Sequence, residues 1–380
     1  MSSRSGAPRR VLLVVSTLDG AGPGRVMSIL GRELTARGFD ATLVATHGPR
    51  ESPLIAETEH GGVPVVHLGM RAMGDPSGAG RFLRLLRRLR PDVVHTRTIR
   101  ADLLGRLAAP RGIPVVNNIV NVYPDDCLVR LGPVVGRAVM TLSRLTRGAA
   151  RLFVANARAV ADNTREAFGV TPERVQVVYD GLLLDRWARA SPADLSAHGI
   201  TTSDRVCLAV SRLHPQKGLD DLVAAAAMVT AARPEARFVV AGEGPERRRL
   251  ETYARSAGLG DRFVLLGNRS DVPELMARAD LFVLPSRFEG LPSAIIEAMG
   301  AGRAVVACAT AGVPELVEDG VTGWLVPVGR PDALAGRLLD ALGEDLLLIG
   351  EAGRRRARAR FSADAMATGF SQAYEAAALG

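Results

Sequence analysis

Thirteen short apolar runs punctuate this chain, most of them separated by stretches of helical period, and that alternation leaves few folds open. In the first half the runs are VLLVVS (11–16), ATLVAT (41–46), VPVVHL (63–68), DVVHT (92–96), IPVVNN (113–118), RLFVA (151–155) and VQVVY (175–179). The second half continues with RVCLAV (205–210), RFVVAG (237–242), RFVLLG (262–267), LFVLPS (281–286), AVVACA (304–309) and GWLVPV (323–328). Near-continuous apolar runs of this length are strands buried on both faces. The stretches between them, such as 25–38 with Val26, Ile29, Leu30 and Leu34 on one face, are amphipathic helices. Strand and helix in alternation make βαβ units around a parallel sheet. From about Gly181 to Asp204 the pattern turns irregular, with Ser191, Pro192, Gly199, Thr201 and Thr202. The expected fold class is therefore α/β, with two doubly wound, Rossmann-like domains at 1–182 and 205–360, a linker at 183–204 and a helical tail at 361–380. Ligands of such sheets sit beyond the carboxyl ends of the strands, so two such domains would face each other across an inter-domain cleft.

Composition narrows the function. Cys127, Cys207 and Cys308 lie far apart with no CxxC or Cys/His spacing, which argues against a zinc site or a disulfide framework and suits a reducing cytoplasm. No apolar run approaches the ~18–20 residues of a membrane span. The formal charge of +8 permits an anionic partner. Nucleic acid is disfavoured, because aromatics are only 4% and none interleaves with the basic clusters at 81–90 and 354–360. In the first cluster Phe82, Leu85, Leu86 and Leu89 share one helical face and Arg81, Arg84 and Arg88 another. An ordinary surface helix has that pattern, and so does one lying on an anionic membrane at the inner face.

Of the 48 basic residues a single one is lysine, Lys217. It lies in the loop Ser211-Arg212-Leu213-His214-Pro215-Gln216-Lys217-Gly218, after the run 205–210 and before a helix expected to open at Leu219. Lysine supplies a compact point charge where arginine supplies a wide fork. Two cations beside a helix N-terminus suit a diphosphate without a metal; His214 reads as a turn residue or a ligand contact. A second loop, Arg287-Phe288-Glu289-Gly290-Leu291-Pro292-Ser293, precedes the helical stretch SAIIEAMGAG, for which Ser293 is a candidate cap. Gly290 allows close approach to backbone N–H groups. Glu297, among Ile295, Ile296, Ala298 and Met299, is a buried carboxylate that two ribose hydroxyls would satisfy. Gly312-Val313-Pro314-Glu315 and Gly242-Glu243-Gly244-Pro245 taken alone read as strand–helix turns.

Together the motifs SRLHPQKG, GEGPER, GNRSDVPELMARADLFVLPSRFEGLPSAIIEAMGAGRAVVA and GVPELVEDGVTGWLV, in this order, resemble the retaining glycosyltransferases of family 4, whose architecture is GT-B. The resemblance implies a metal-independent transfer of a sugar from a nucleotide diphosphate donor to a hydroxyl acceptor, lipid-linked or on a polysaccharide. It requires no cofactor, the nucleotide sugar being a co-substrate. It puts Arg212 and Lys217 on the donor diphosphate and Glu297 on the ribose. Glu289, with the backbone of Gly290, Leu291 and Pro292, faces the donor sugar and phosphates, and the loop Asn268-Arg269-Ser270 approaches the nucleobase. The catalytic set it implies is Glu289, Lys217 and Arg212. The absence of any Asp-x-Asp disfavours the metal-dependent architecture. In this architecture the tail 361–380 crosses back to the first domain.

Before residue 180 the resemblance is thinner. Gly20, Gly22 and Gly24 match the family's glycine-rich loop near the phosphates; a dinucleotide reading fails because the next strand ends in Thr46-His47 with no acid. His95 reads as a packed strand-end residue. Where many members carry a histidine beside the reacting sugar, this chain has Val120 and Asn121. Arg97, Arg100, Asn118 and Asn121 are then the polar candidates for the acceptor side. That departure keeps a nucleotide-sugar-binding protein without catalysis as an alternative, and a nucleotide-sugar epimerase of the same architecture as another. Asp180-Gly181 stands where the family often has Asn-Gly, and a structural role is expected there.

Overall fold

The computed structural model describes residues 9–18, 22–48, 52–72 and 74–379, and each of the thirteen apolar runs coincides with a strand to within two residues at either end. Seven strands form the first sheet: β1 (Arg10–Val15), β2 (Asp40–Ala45), β3 (Val65–His67), β4 (Val93–Arg97), β5 (Val115–Ile119), β6 (Leu152–Ala155) and β7 (Val175–Val177), in the order β3-β2-β1-β4-β5-β6-β7. Six form the second: β8 (Arg205–Val210), β9 (Ala236–Ala241), β10 (Phe263–Gly267), β11 (Leu281–Leu284), β12 (Ala304–Cys308) and β13 (Trp324–Val326), in the order β10-β9-β8-β11-β12-β13. All the pairings are parallel. In both sheets the order reverses beside the first strand of the domain, which is the switch point of a doubly wound sheet. Val11 to Val15 are all buried, as continuous apolar strands covered on both faces must be. In the second core Phe238, Val240, Val283 and Val306 meet Leu222, Val223 and Val229 of the helix Leu219–Ala232 and Leu334 and Leu338 of the helix Pro331–Ala341.

The chain divides into two compact units, Met1–Gly181 with Ala363–Gly380, and Leu182–Ser362. Residues 183–204, read above as a linker, carry the short helix Asp185–Ala188 and group with the second unit, where Leu184 and Trp187 pack beside Gly300. The tail helix Ala363–Leu379 groups with the first unit. Its buried Met366, Phe370, Ala373, Tyr374 and Ala377 repeat at helical spacing. Phe370 stacks on His95 with ring centroids 4.6 Å apart, and the Tyr374 hydroxyl lies 2.6 Å from His95 Nδ1. Burial, with Arg97 nearby, pushes the His95 imidazole down to about 3. It is a neutral packing residue.

The basic stretch 81–90 differs from one of its two readings. In the helix Pro76–Leu89, Phe82 and Leu86 are buried and Leu85 and Leu89 pack on the same core cluster, while Arg81 Nε donates to Leu68 O at 2.5 Å. Its apolar face is spent on the interior, leaving none for a membrane. Among the described residues no helix is long and apolar enough to cross one.

Asp102, on the helix Ile99–Ala108, is buried. Thr96 Oγ1 donates to its Oδ1 at 2.5 Å, and its Oδ2 has no hydrogen-bond partner. Burial pushes this carboxyl up to about 7 against the opposing influence of Arg106, the Thr96 hydroxyl and Arg97. The unfolded carboxyl ionises near 3.8, so from about pH 4 to 7 the folded state holds a proton that the unfolded state lacks. Stability from this group is full at the acid end of that window and falls as pH rises through it. In Asp102→Asn the fall should be shallower than in the wild type, read from denaturation midpoints across the window. Parallel curves for the two proteins would remove Asp102 as the cause.

Candidate active site

Three loops at the carboxyl ends of β8, β9 and β11 press together in the second unit, and glycines set how closely. A Cβ on Gly218 would lie 2.2 Å from Pro285 O, one on Gly242 1.9 Å from Ser211 O, and one on Gly244 2.2 Å from Leu213 O. Gly218 and Gly242 also hold positive φ, so two separate constraints exclude a side chain there. Backbone bonds complete the joint: Leu213 N donates to Glu243 O at 2.9 Å, and Arg287 N donates to Gln216 O at 2.8 Å. From the next loop Gly312 N donates to Gly290 O at 3.0 Å, and Thr310 Oγ1 donates to Arg287 O at 3.3 Å.

On this frame the polar side chains converge. Lys217 ends a short 3-10 turn, Pro215–Lys217, whose start is capped by His214: its Nδ1 accepts from Gln216 N at 3.3 Å. The turn residue is therefore the role that the structure gives His214. The helix Leu219–Ala232 then opens where expected. Lys217 Nζ lies 2.5 Å from Glu289 Oε1, with side chains only 14% and 9% exposed, and Arg212 is exposed, its Nη2 3.5 Å from Gln216 Oε1. Glu297 is buried on the helix Ser293–Gly300. Ser293 is the first residue of that helix and caps nothing: Pro292 holds the N-cap position, with no side-chain cap bond. Gly290, Leu291 and Pro292 are buried between these groups.

Gln216 escaped the sequence reading. Its Nε2 donates to Phe288 O at 2.9 Å and its backbone carbonyl accepts from Arg287, so it ties the lysine loop to the glutamate loop twice. Only its place beside Lys217 marks it in the sequence. Arg287 turns outward to Asp220 at 2.7 Å. Arg269 forks onto Asp271 at 2.8 and 2.6 Å, so its guanidinium is already paired.

In the first unit Gly22 is exposed as the first residue of the helix Gly22–Ala36, and Gly20 lies outside the described residues. Arg97 and Asn118, expected on the acceptor side, turn inward. Arg97 Nη1 and Nη2 both donate to the Asp180 carboxylate at 2.7 Å, and Nη1 reaches Asn118 Oδ1 at 2.5 Å. Both residues are buried, so the ion pair claims the charge that was to meet a ligand. Asn121, just past β5, is half-buried, and Val120 is buried.

Comparisons with known proteins give the family. Residues 191–360 match the glycosyl transferases group 1 model, and residues 20–186 match the model described as Glycosyltransferase Family 4. A D-inositol 3-phosphate glycosyltransferase of Geodermatophilus obscurus is 30% identical over 419 aligned positions, spanning 99% of this chain and 91% of the relative. The chain belongs to the family 4 glycosyltransferases. This glycosyltransferase is also 27% identical over 319 residues, 82% of each chain, to the UDP-Gal:alpha-D-GlcNAc-diphosphoundecaprenol alpha-1,3-galactosyltransferase of Escherichia coli. Its fold matches HepE from Anabaena, solved in complex with UDP and glucose, at a TM-score of 0.79 and 22% identity, covering 96% of this chain and 99% of HepE. The two-domain Rossmann-like GT-B class is thus established for this enzyme.

Proposed function

We propose that this enzyme transfers a sugar from a nucleotide diphosphate donor to a hydroxyl acceptor with retention of anomeric configuration and without a metal or other cofactor. The observation that carries the reading is the Lys217–Glu289 pair across two loops locked by backbone contacts, with Arg212 on the lysine's loop and Glu297 on the helix that follows the glutamate's loop. Arg212 and Lys217 take the donor diphosphate and stabilise the charge that grows on it as the glycosidic bond breaks. A cation 4 Å from a phosphate oxygen contributes about 4 kcal/mol at an effective dielectric of 20, enough for the pair to stand in for a metal. Glu297 holds the ribose. Glu289 and the backbone of Gly290, Leu291 and Pro292 face the sugar, the backbone around Arg269 approaches the base, and Gly22 approaches the phosphates. The acceptor hydroxyl attacks from the face that the diphosphate leaves and gives its proton to a departing phosphate oxygen. Arg100 and Asn121 are the acceptor-side candidates that keep some exposure.

The names of the relatives suggest where to begin. The Escherichia coli relative is named for UDP-Gal and a lipid diphosphate, and HepE was solved with UDP, so UDP sugars are the first donors and lipid-linked or glycan hydroxyls the first acceptors. A nucleotide diphosphate sugar at about 100 times its Kd should add ~2.7 kcal/mol of stability, readable as a thermal shift, and EDTA should leave that shift intact. Loss of the shift in EDTA would overturn metal independence. An inverted anomeric centre in the product would overturn retention, and donor binding with neither hydrolysis nor transfer would favour a binding protein.

A further inference from the structure

The helix Pro133–Thr146, in the first unit, turns three different faces to its surroundings. Gly136, Val139, Met140 and Ser143 are buried. At 100° per residue, Val134, Val135, Ala138, Leu142 and Leu145 form a second stripe, and it points outward. Val134 is 79% and Leu145 76% exposed, with Val135 at 52% and Leu142 at 38%. Arg137 and Arg144, both exposed, run along the third face with Thr141 between them. The two neighbouring helices also carry exposed apolar residues, Leu107 and Val129.

This exposure does not come from a loosely held helix. A Cβ on Gly136 would sit 2.9 Å from Cys127 O, so the helix lies close against the one before it. Arg106 Nη1 donates to Ser143 O at 3.0 Å, and Arg144 Nε donates to Ala167 O at 2.6 Å. The inward face is fastened by packing and by charged donors, so the outward stripe is a deliberate surface of a fixed element. Charge then says what meets it. From Cys127 to Ala161 the sequence contains no Asp or Glu and six arginines, Arg130, Arg137, Arg144, Arg147, Arg151 and Arg158. An apolar stripe edged by arginine and free of acid fits a surface that offers anions above and hydrocarbon below. A second copy of the chain would set arginine against arginine.

We propose that this face seats the enzyme on an anionic lipid bilayer, with Val134, Val135, Leu142 and Leu145 at the acyl boundary and Arg137 among the headgroup phosphates. The proposal is independent of the loops that carry Arg212, Lys217 and Glu289, which lie in the other unit.

Sedimentation of the full chain with vesicles tests it, using phosphatidylcholine alone and phosphatidylcholine with about one-third phosphatidylglycerol. Binding is expected to the anionic vesicles at low salt and not to the neutral ones. The double change Val134→Asp with Leu145→Asp should lower it about tenfold or more, and Arg137→Glu about fivefold, since each basic residue near such a surface contributes ~1 kcal/mol. Thermal midpoints and UDP binding should stay at the wild-type value in these variants, which separates failure of this face from failure of the donor site. The proposal is overturned by absence of binding, by equal binding to neutral vesicles, or by variants that bind as well as wild type. It is also overturned if the face instead mediates self-association that the same substitutions abolish.

Discussion

Lys217→Ala should lower kcat/KM by about 10²–10³-fold, the usual cost of removing one preorganised donor from a developing charge. Two features of the structure sharpen that expectation. Lys217 Nζ is held 2.5 Å from Glu289 Oε1, so the cation is already oriented and partly desolvated before any donor arrives. The turn that follows is cramped, with no room for a Cβ on Gly218 beside Pro285 O, and a compact ammonium suits such a place better than a planar fork. Lys217→Arg should therefore restore only part of the rate, although arginine supplies every other basic position in the chain. Glu289→Gln separates the roles of the pair. It releases the lysine from its carboxylate, so UDP should bind more tightly, while transfer falls because the group facing the sugar has lost its charge. Kinetics in which Lys217→Ala raises KM alone, with kcat intact, would reduce the lysine to a ground-state contact.

The sheets were legible because parallel strands buried on both faces must be apolar at every position, a pattern that survives without knowledge of neighbours. Lys217 and Glu289 stand out for the opposite reason, as charges on loops where such runs end, and Glu297 as a lone carboxylate inside an apolar helix. What the chain conceals is pairing over distance. Arg97 looks like a free cation at a strand end until Asp180, 83 residues later, arrives beside it from the end of β7. The arginine-rich helix Pro76–Leu89 looks amphipathic whether its apolar face meets a core or a membrane, and only the position of Phe82 and Leu86 in the interior decides. The helix Pro133–Thr146 shows the converse. Val134, Val135, Leu142 and Leu145 are as apolar as core residues, and the fold leaves them outside while it buries Val139. The backbone joint between the lysine and glutamate loops is equally hidden, since carbonyls and N–H groups carry no residue signature; the Gln216 side chain on Phe288 O is a trace of it.

Asp180→Ala should destabilise the first unit by about 3–5 kcal/mol, because it strands a buried guanidinium. The Asp180 carboxylate accepts from both Arg97 nitrogens at 2.7 Å and from Asn156 Nδ2 at 3.0 Å, and both charged side chains are nearly sealed from water, at 3% and 4% exposed. After truncation Arg97 keeps only Asn118 Oδ1, a neutral acceptor. Asp180→Asn preserves shape and one acceptor, so its loss should be smaller; an asparagine is what the family resemblance leads one to expect here, and Arg97 explains why this chain carries the acid. Replacing both partners with apolar residues, Arg97→Met with Asp180→Leu, should cost less than the sum of the single changes, since neither charge is then left alone. The two tryptophans, Trp187 and Trp324, both belong to the second unit, so their fluorescence follows that unit while far-UV circular dichroism follows both. In Asp180→Ala the dichroism transition should move to lower denaturant ahead of the fluorescence transition. Coincident transitions at the wild-type midpoint would show that the pair contributes no net stability to the first sheet.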